Sequence, residues 1–526
     1  MKAIVFSTLL LTFSLSASTQ KQVYIPKSIS SAMDLTKSSS QWCNARSKES
    51  DNVAVFWESG FGSDPSSASG SYRVNMTTLL QTAEKAYAVY QDSLKFAIRG
   101  SSVADKNKLV IFLLYTTTWT ANGSGEDEVV GTLRVDPAAA NINVVVAHEM
   151  GHCFEYITGC DDDGGYRYGF GTNGQGGNGF WEQCANWMAF KVFPEREFTE
   201  SDFGVYVKSN HLHILHETPR YANYFLPDYW TFKRGKPFMA SLWRDSRSPE
   251  DPVETYKRLN SLSQPQFNDE MYEHASRLTT WDIPDIKSYG EKYIDNRPQV
   301  KMNATSDNFW LIDTSACIQN YGYNSIKLNA PSQAAGVSVR FMGKTGASGF
   351  RVIKTDKGGW RVGFVALLKD GTRKYGDVAA MDVQNGKNPD SSLAFSCPAN
   401  CSKLWFVVSG APQEHWRHPW DDNTANDEQW PYQVQFKNTN LLGKPTTATI
   451  IARTDVATQL RPVVSAQAVR LPAALGWQIA DAAGRLIASG HGNVIDMTSF
   501  PNGAYILHYS GKRLKLLRCG MHTANR

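Results

Sequence analysis

The segment His148-Glu149-Met150-Gly151-His152 narrows the possible folds of this chain more than any other stretch. It follows an apolar run at 142–147 and continues into Cys153-Phe154-Glu155-Tyr156, so the pattern predicts a helix over 142–156. One helical turn separates His148 from His152, which puts both imidazoles on one face, where they can share a metal ion. Glu149 leaves the helix at a different angle and is placed to take a proton from a water on that metal. The competing reading is a helix with two ordinary histidines. The chain holds only 11 histidines, so a pair at this spacing around a glutamate carries weight.

A glycine-rich connection follows over 159–179 and excludes a continuous helix there. Residues 180–193 then read as a second helix that ends before Pro194. Glu182, in its first turn, offers an oxygen to complete two nitrogens and leaves a fourth position for water. A surface glutamate favoured by the helix macrodipole is the plainer alternative for this residue. The ligand set expected for zinc is therefore His148, His152 and Glu182, with Glu149 as general base. Glu155, three residues past His152, reads as a partner behind the ligands. Asp161, Asp162 and Asp163 read as a turn cap or a structural calcium site.

Around this pair of helices the expected class is α+β. Residues 52–58 read as a strand with Val53, Val55 and Trp57 on one face, 74–98 as a helix, and 109–115 as a central strand. The run 129–135, flanked by acidic residues and Pro137, reads as an edge strand. Residues 131–135 of that edge could pair with an extended peptide through main-chain hydrogen bonds. Residues 195–285 are aromatic-rich and mostly helical in character. Near 290 the texture changes to short β-runs between turns, such as 336–341, 361–366 and 404–408. The expected organisation is a catalytic domain over 19–290, a β-sandwich over 291–444 and a small all-β module over 445–526.

Peptide hydrolysis builds negative charge on the former carbonyl oxygen, and a His or Tyr opposite the base usually shares in stabilising it. His211, His213, His216, Tyr221, Tyr224 and Tyr229 are all candidates, and the sequence does not choose among them. The stretch from His415 to Asn423, with 427–432 after it, is dense in aromatic and acidic residues. It reads either as a sugar-stacking, calcium-holding patch or as a tryptophan-rich loop packed on its neighbours, the second being preferred.

Composition sets the outer limits. Length alone suggests three or four domains in 526 residues. The hydrophobic share is 42% and the charged share 20%, which excludes disorder for most of the chain. A net charge of +4 over this length gives no nucleic-acid-binding surface. Lys2, the apolar run 4–15 and the small residues 16–18 read as a signal peptide over 1–18, and no later run is long enough to span a membrane. Export makes disulfides admissible among the eight cysteines. Cys397 with Cys401 suits a local bridge, and a bridge or thiol contact is expected in the Cys153, Cys160 and Cys184 region. Cys43, Cys317 and Cys519 complete the set.

These motifs resemble the gluzincin class of zinc metallopeptidases, in which a downstream glutamate joins the two histidines. More specifically, the chain looks like the secreted bacterial Svx/avirulence-protein family. The likeness rests on 42–46, 55–58, 147–155, 179–189 and 427–432, and runs from about 40 to 440. No histidine follows His152 until His211, which sets aside the three-histidine metalloprotease pattern. The resemblance implies a zincin-like fold, secretion and a role in virulence. The expected activity is a secreted zinc endopeptidase acting on proteins or glycoproteins. The alternatives are a glycopeptidase that reads glycan through its β domains, or a glycan-binding adhesion protein with a degenerate peptidase domain. The C-terminal module resembles small domains that end many secreted bacterial enzymes, with a sorting or adhesion role.

Overall fold

The structure, a computed structural model, describes residues 20–161, 166–169, 177–446, 463–465, 468–481, 484–510 and 512–518. The expected signal segment, Asp162, Asp163 and Cys519 lie outside these residues. The fold is mixed α and β with several sheets, in two compact units, Met1–Thr449 and Ile450–Arg526.

The first unit begins with a five-stranded sheet in the order β1-β2-β3-β5-β4, built from β1 (Ser47–Glu49), β2 (Val53–Trp57), β3 (Leu109–Leu113), β4 (Ala121–Glu126) and β5 (Val130–Val135). β2, β3 and β5 run parallel, and β4 returns antiparallel to β5. The central strands are buried on both faces, as parallel strands are. Val53, Val55 and Trp57 face the main core, as expected, while Ala54 and Phe56 face a smaller core closed by Trp42 and Ile29. The expectation of an edge at 129–135 is corrected here. β5 lies inside the sheet, and the edge is β4, whose sequence Ala-Asn-Gly-Ser-Gly-Glu lacks the β-branched residues that mark a strand. Asp127 and Glu128, both left-handed, turn β4 into β5.

One face of this sheet carries the helix Met76–Ala88, followed by a single π-helical turn at Val89–Ser93, and the helix Asn143–Cys160. The π turn delivers Tyr90, whose hydroxyl donates to the Ala147 carbonyl at 2.8 Å, one residue before His148. The helix Gly177–Val192 packs against Asn143–Cys160 where Gly151 removes a side chain; a Cβ there would sit 3.0 Å from the Ala185 Cα. Helices Ser201–Ser209, Phe225–Arg234 and Gln264–Leu278 follow.

The β-rich segment forms a sandwich. One sheet has the order β11-β10-β14-β8, with β12 also on β10, from β8 (Tyr323–Leu328), β10 (Gly359–Leu368), β11 (Arg373–Tyr375), β12 (Ala379–Asp382) and β14 (Cys401–Gly410). The other has the order β13-β9-β15-β7-β6, from β6 (Met302–Ala304), β7 (Trp310–Ile312), β9 (Ala335–Gly343), β13 (Asp390–Cys397) and β15 (Tyr432–Lys437). Between them lie Val339, Phe341, Trp360, Phe364, Phe406 and Trp430. The outer face of β8, β10 and β14 gives Tyr323, Val365, Trp405 and Val407 to the same core as the helices. Asn268 donates to the Pro412 carbonyl at 2.9 Å and Arg361 pairs with Asp269 at 2.7 Å across that seam. The change of texture near 290 is thus a change of secondary structure within one compact unit.

The second unit is a sheet in the order β16-β20-β19-β17-β18, from β16 (Val463–Ser465), β17 (Ala468–Asp481), β18 (Leu486–Asp496), β19 (Gly503–Tyr509) and β20 (Lys512–Arg518). Ile479, Ile495, Leu507 and Leu516 form its core.

The seven described cysteines are free thiols, so the expected bridges are not formed. Cys153 donates to the Thr132 carbonyl, and Cys184 accepts from the Trp243 indole, so each is engaged with a separate neighbour. Cys397 donates to the Pro398 carbonyl and Cys401 to the Lys403 carbonyl, so these two thiols are also engaged separately.

Candidate metal centre

His148 and His152 leave Asn143–Cys160 one turn apart, and their Nε2 atoms lie 3.1 Å from each other. Glu182 reaches in from Gly177–Val192, its Oε2 3.2 Å from both nitrogens. Tetrahedral zinc with bonds of about 2.0–2.1 Å separates its ligand atoms by roughly 3.3 Å. Two imidazoles and a carboxylate at these separations fit zinc by size and by donor type.

The outer nitrogens agree. The His148 Nδ1 faces the Asn186 Oδ1 at 2.7 Å, and the His152 Nδ1 faces the Glu155 Oε2 at 2.8 Å. Both partners are acceptors, so each Nδ1 is held as a donor and Nε2 is the ring nitrogen that each histidine would offer a metal. Glu155 is fully buried; burial pushes its carboxyl up, against the pull of His152. Asn186 lies one turn past Glu182 on the same helix. That i, i+4 spacing could have flagged it, but an amide carries no metal signature of its own.

The Glu149 Oε2 accepts the Gly123 N–H at 2.6 Å, at the sheet edge. β4 can come this close only because residue 123 lacks a side chain; a Cβ there would lie 1.9 Å from the Glu149 carbonyl oxygen. At residue 125 a Cβ would meet the Tyr156 ring at 2.0 Å. The strand's glycines, which hid it in the sequence, are what let it lie on the motif helix.

These groups open on a cavity of about 860 Å³. It is lined by β4 and Trp119 on one side, by Trp181, Tyr156 and Arg167 near His152, and by Phe190 and Asp202 near His148. Sequence reasoning named none of these lining residues for this role.

Of the six candidates for the group opposite the base, only Tyr221 lines this cavity. Its ring lies 6.1 Å from that of His148, and its carbonyl accepts from the Asn186 amide at 2.6 Å. Burial and the negative charge of Glu182 push its hydroxyl up to about 12, so it stays a donor. Tyr224 is buried and donates to the Glu197 carbonyl, and Tyr229 faces Glu273. His211 gives its carbonyl to the Gln319 N–H beneath the sandwich. His213 and His216 are buried and stack on His418.

His216, His418 and Asp427 form a second group of metal-binding residue types. Its wiring differs. The His216 Nδ1 accepts the Thr218 N–H at 3.0 Å, so the proton sits on Nε2, which faces the Asp427 Oδ2 at 3.2 Å. A ring that accepts at Nδ1 and donates at Nε2 has no lone pair left for a metal. This cluster is a hydrogen-bonded junction. The expected calcium carboxylates are similarly engaged: Asp161 accepts from the Val103 N–H, and Asp421 from the Asn423 N–H.

Among the described residues no helix is long and apolar enough to cross a membrane. No curated protein matches this chain. Two solved structures resemble part of it at 11% identity and a TM-score of 0.16. They are the C-terminal family 22 carbohydrate-binding module of Clostridium thermocellum Xyn10B, with 27% of this chain and 82% of that one covered, and a xylan-binding family 22 domain, with 28% and 83%. A similarity that slight carries no weight for fold or ligand. The profile of DUF6055 spans residues 15–443, well over half the length, and the chain belongs to that family of unknown function.

Proposed function

We propose that this chain is a zinc-dependent endopeptidase of the gluzincin type, exported from a bacterial cell, with a zincin-like catalytic region. The observation that carries the reading is the trio of ligand atoms at 3.1–3.2 Å, with both histidine outer nitrogens held as donors and a separate glutamate beside them. Zinc held there would supply Lewis acidity, lowering the pKa of a water and polarising a substrate carbonyl. The chain's own residues do the rest. β4 offers an antiparallel edge along which an extended peptide can be held by main-chain hydrogen bonds. Glu149 takes the proton of the attacking water on its carboxylate and passes it to the leaving nitrogen. Its bond from the Gly123 N–H fixes the carboxylate while this happens. Tyr221, in the cavity lining beside His148, donates its O–H to the oxygen that gains charge.

The test is Glu149→Gln in the full chain, with bound zinc and peptide hydrolysis measured together. Zinc is expected to stay at the native level, since residue 149 is not a ligand. Turnover is expected to fall by about 100-fold or more. Near-native hydrolysis by the zinc-replete variant contradicts the reading.

A further inference from the structure

Tyr221 sits on irregular chain between the helices Ser201–Ser209 and Phe225–Arg234, so no regular element fixes its position. Asn186 and Gln183 hold this segment from the zinc side, through the Tyr221 and Ile214 carbonyls at 2.6 and 2.7 Å. The other side is held by the sandwich. Glu217 accepts the Asp421 and Asp422 N–H groups at 2.9 and 3.1 Å and faces the His418 Nε2 at 3.1 Å. Arg220 lies between two rings, 5.7 Å from that of Tyr221 and 5.6 Å from that of Trp420. His418 in turn stacks on His213 at 4.7 Å and His216 at 5.1 Å.

We infer that the sandwich loop 415–430 is a working part of the active site. Trp420, Arg220, Glu217 and His418 are positioning residues that hold the Tyr221 hydroxyl over the ligand trio. This rests on the peptidase reading, and it gives the β-sandwich a task within catalysis. His213, His216, Glu217, His418 and Asp427 are all buried. Removing one member of such a cluster leaves its partners buried without a counterpart, so the junction has one well-defined arrangement. The link to Tyr221 then runs through two successive residues, Arg220 and Tyr221, with the Arg220 cation between the rings. The loop's tryptophans are engaged in this packing: Trp416 donates to Glu428, and a side chain at Gly179 would touch the Trp420 ring at 3.4 Å.

The test is a double-mutant cycle in the full chain with Trp420→Ala, Tyr221→Phe and both together. The readouts are kcat, KM and bound zinc on a peptide the native protein cuts. Each single variant is expected to lower kcat at least about tenfold with zinc and KM little changed. The double variant is expected to match Tyr221→Phe alone, because the effect of Trp420 passes through that hydroxyl. Arg220→Met should behave as Trp420→Ala does. Multiplicative losses, or native kcat in Trp420→Ala, overturn the inference while leaving the Glu149 result untouched. Hydrogen exchange reads the same link without turnover. In Trp420→Ala, exchange across 213–223 should accelerate about tenfold while that of 143–160 stays unchanged, and equal protection of 213–223 in both proteins also overturns it.

Discussion

His148, His152 and Glu182 are readable from the sequence because helical spacing is local: four residues fix one face, and a helix start fixes the third group nearby. The group proposed to act opposite Glu149 is not readable in that way. Six candidates share one stretch of chain, and only tertiary contacts separate Tyr221, at the cavity wall, from Tyr224 and Tyr229, which are spent on Glu197 and Glu273. His213 and His216 look like catalytic imidazoles in the sequence and prove to belong to the His418 junction. Its pH response follows from its charges. Burial disfavours the His418 cation, but the Glu217 bond and the charges of Glu428, Asp427 and Glu217 outweigh it and raise this group above its ordinary 6.5. Burial also opposes the Glu217 anion, yet His418 and the Asp421 N–H hold that carboxyl down at about 2. The raised histidine contributes stability that is full below 6.5 and is lost as pH climbs through its folded value. The depressed carboxyl contributes above 4.5 and is lost as pH falls toward 2. The junction, with His213 beside it held neutral by burial, is therefore firmest between those limits. The Tm difference between native protein and His418→Asn should be greatest near pH 5–6 and shrink steadily by pH 9. A difference that grows with pH contradicts this.

Among the elements, the strongly apolar strands β2 and β3 follow from their apolar runs, and the motif helix from its residue pattern. β4 does not, because its fitness lies in absent side chains. Gly123 and Gly125 exist to bring the edge onto the helix, a demand set by the neighbour and invisible in local propensity. Gly123→Ala puts a methyl group into the Glu149 carbonyl, and backbone must move to admit it. Overpacking of this kind costs about 1–3 kcal/mol. Urea unfolding should show a loss of that size. Hydrolysis should fall further than zinc content, because the shifted strand withdraws the N–H that holds Glu149. Native stability and native turnover in Gly123→Ala would show that the approach is not tight. Turn chemistry also misled at the cysteines: spacing of 397 and 401 allows a bridge, but each thiol donates to a nearby carbonyl instead.

At the scale of the whole molecule, the α+β class and the passage from helices to a sandwich are visible as a change of texture. What the sequence does not carry is the seam, because the outer face of β8, β10 and β14 is apolar for the sake of the helix Gln264–Leu278. A chain ending at residue 446 keeps all three cores of the first unit. It should retain native zinc content and turnover. A chain ending at 290 leaves that seam bare and should fail to give a cooperative melt or bind zinc; a folded, metal-binding 290-residue fragment would contradict the shared core. Anomalous scattering at the zinc edge, from crystals of the active, metal-replete protein, decides whether His148, His152 and Glu182 hold one catalytic zinc. For that assignment one strong peak is expected about 2.0–2.2 Å from the His148 Nε2, the His152 Nε2 and a Glu182 oxygen. An active protein with no peak among those three atoms, or with its full-occupancy peak elsewhere, contradicts it.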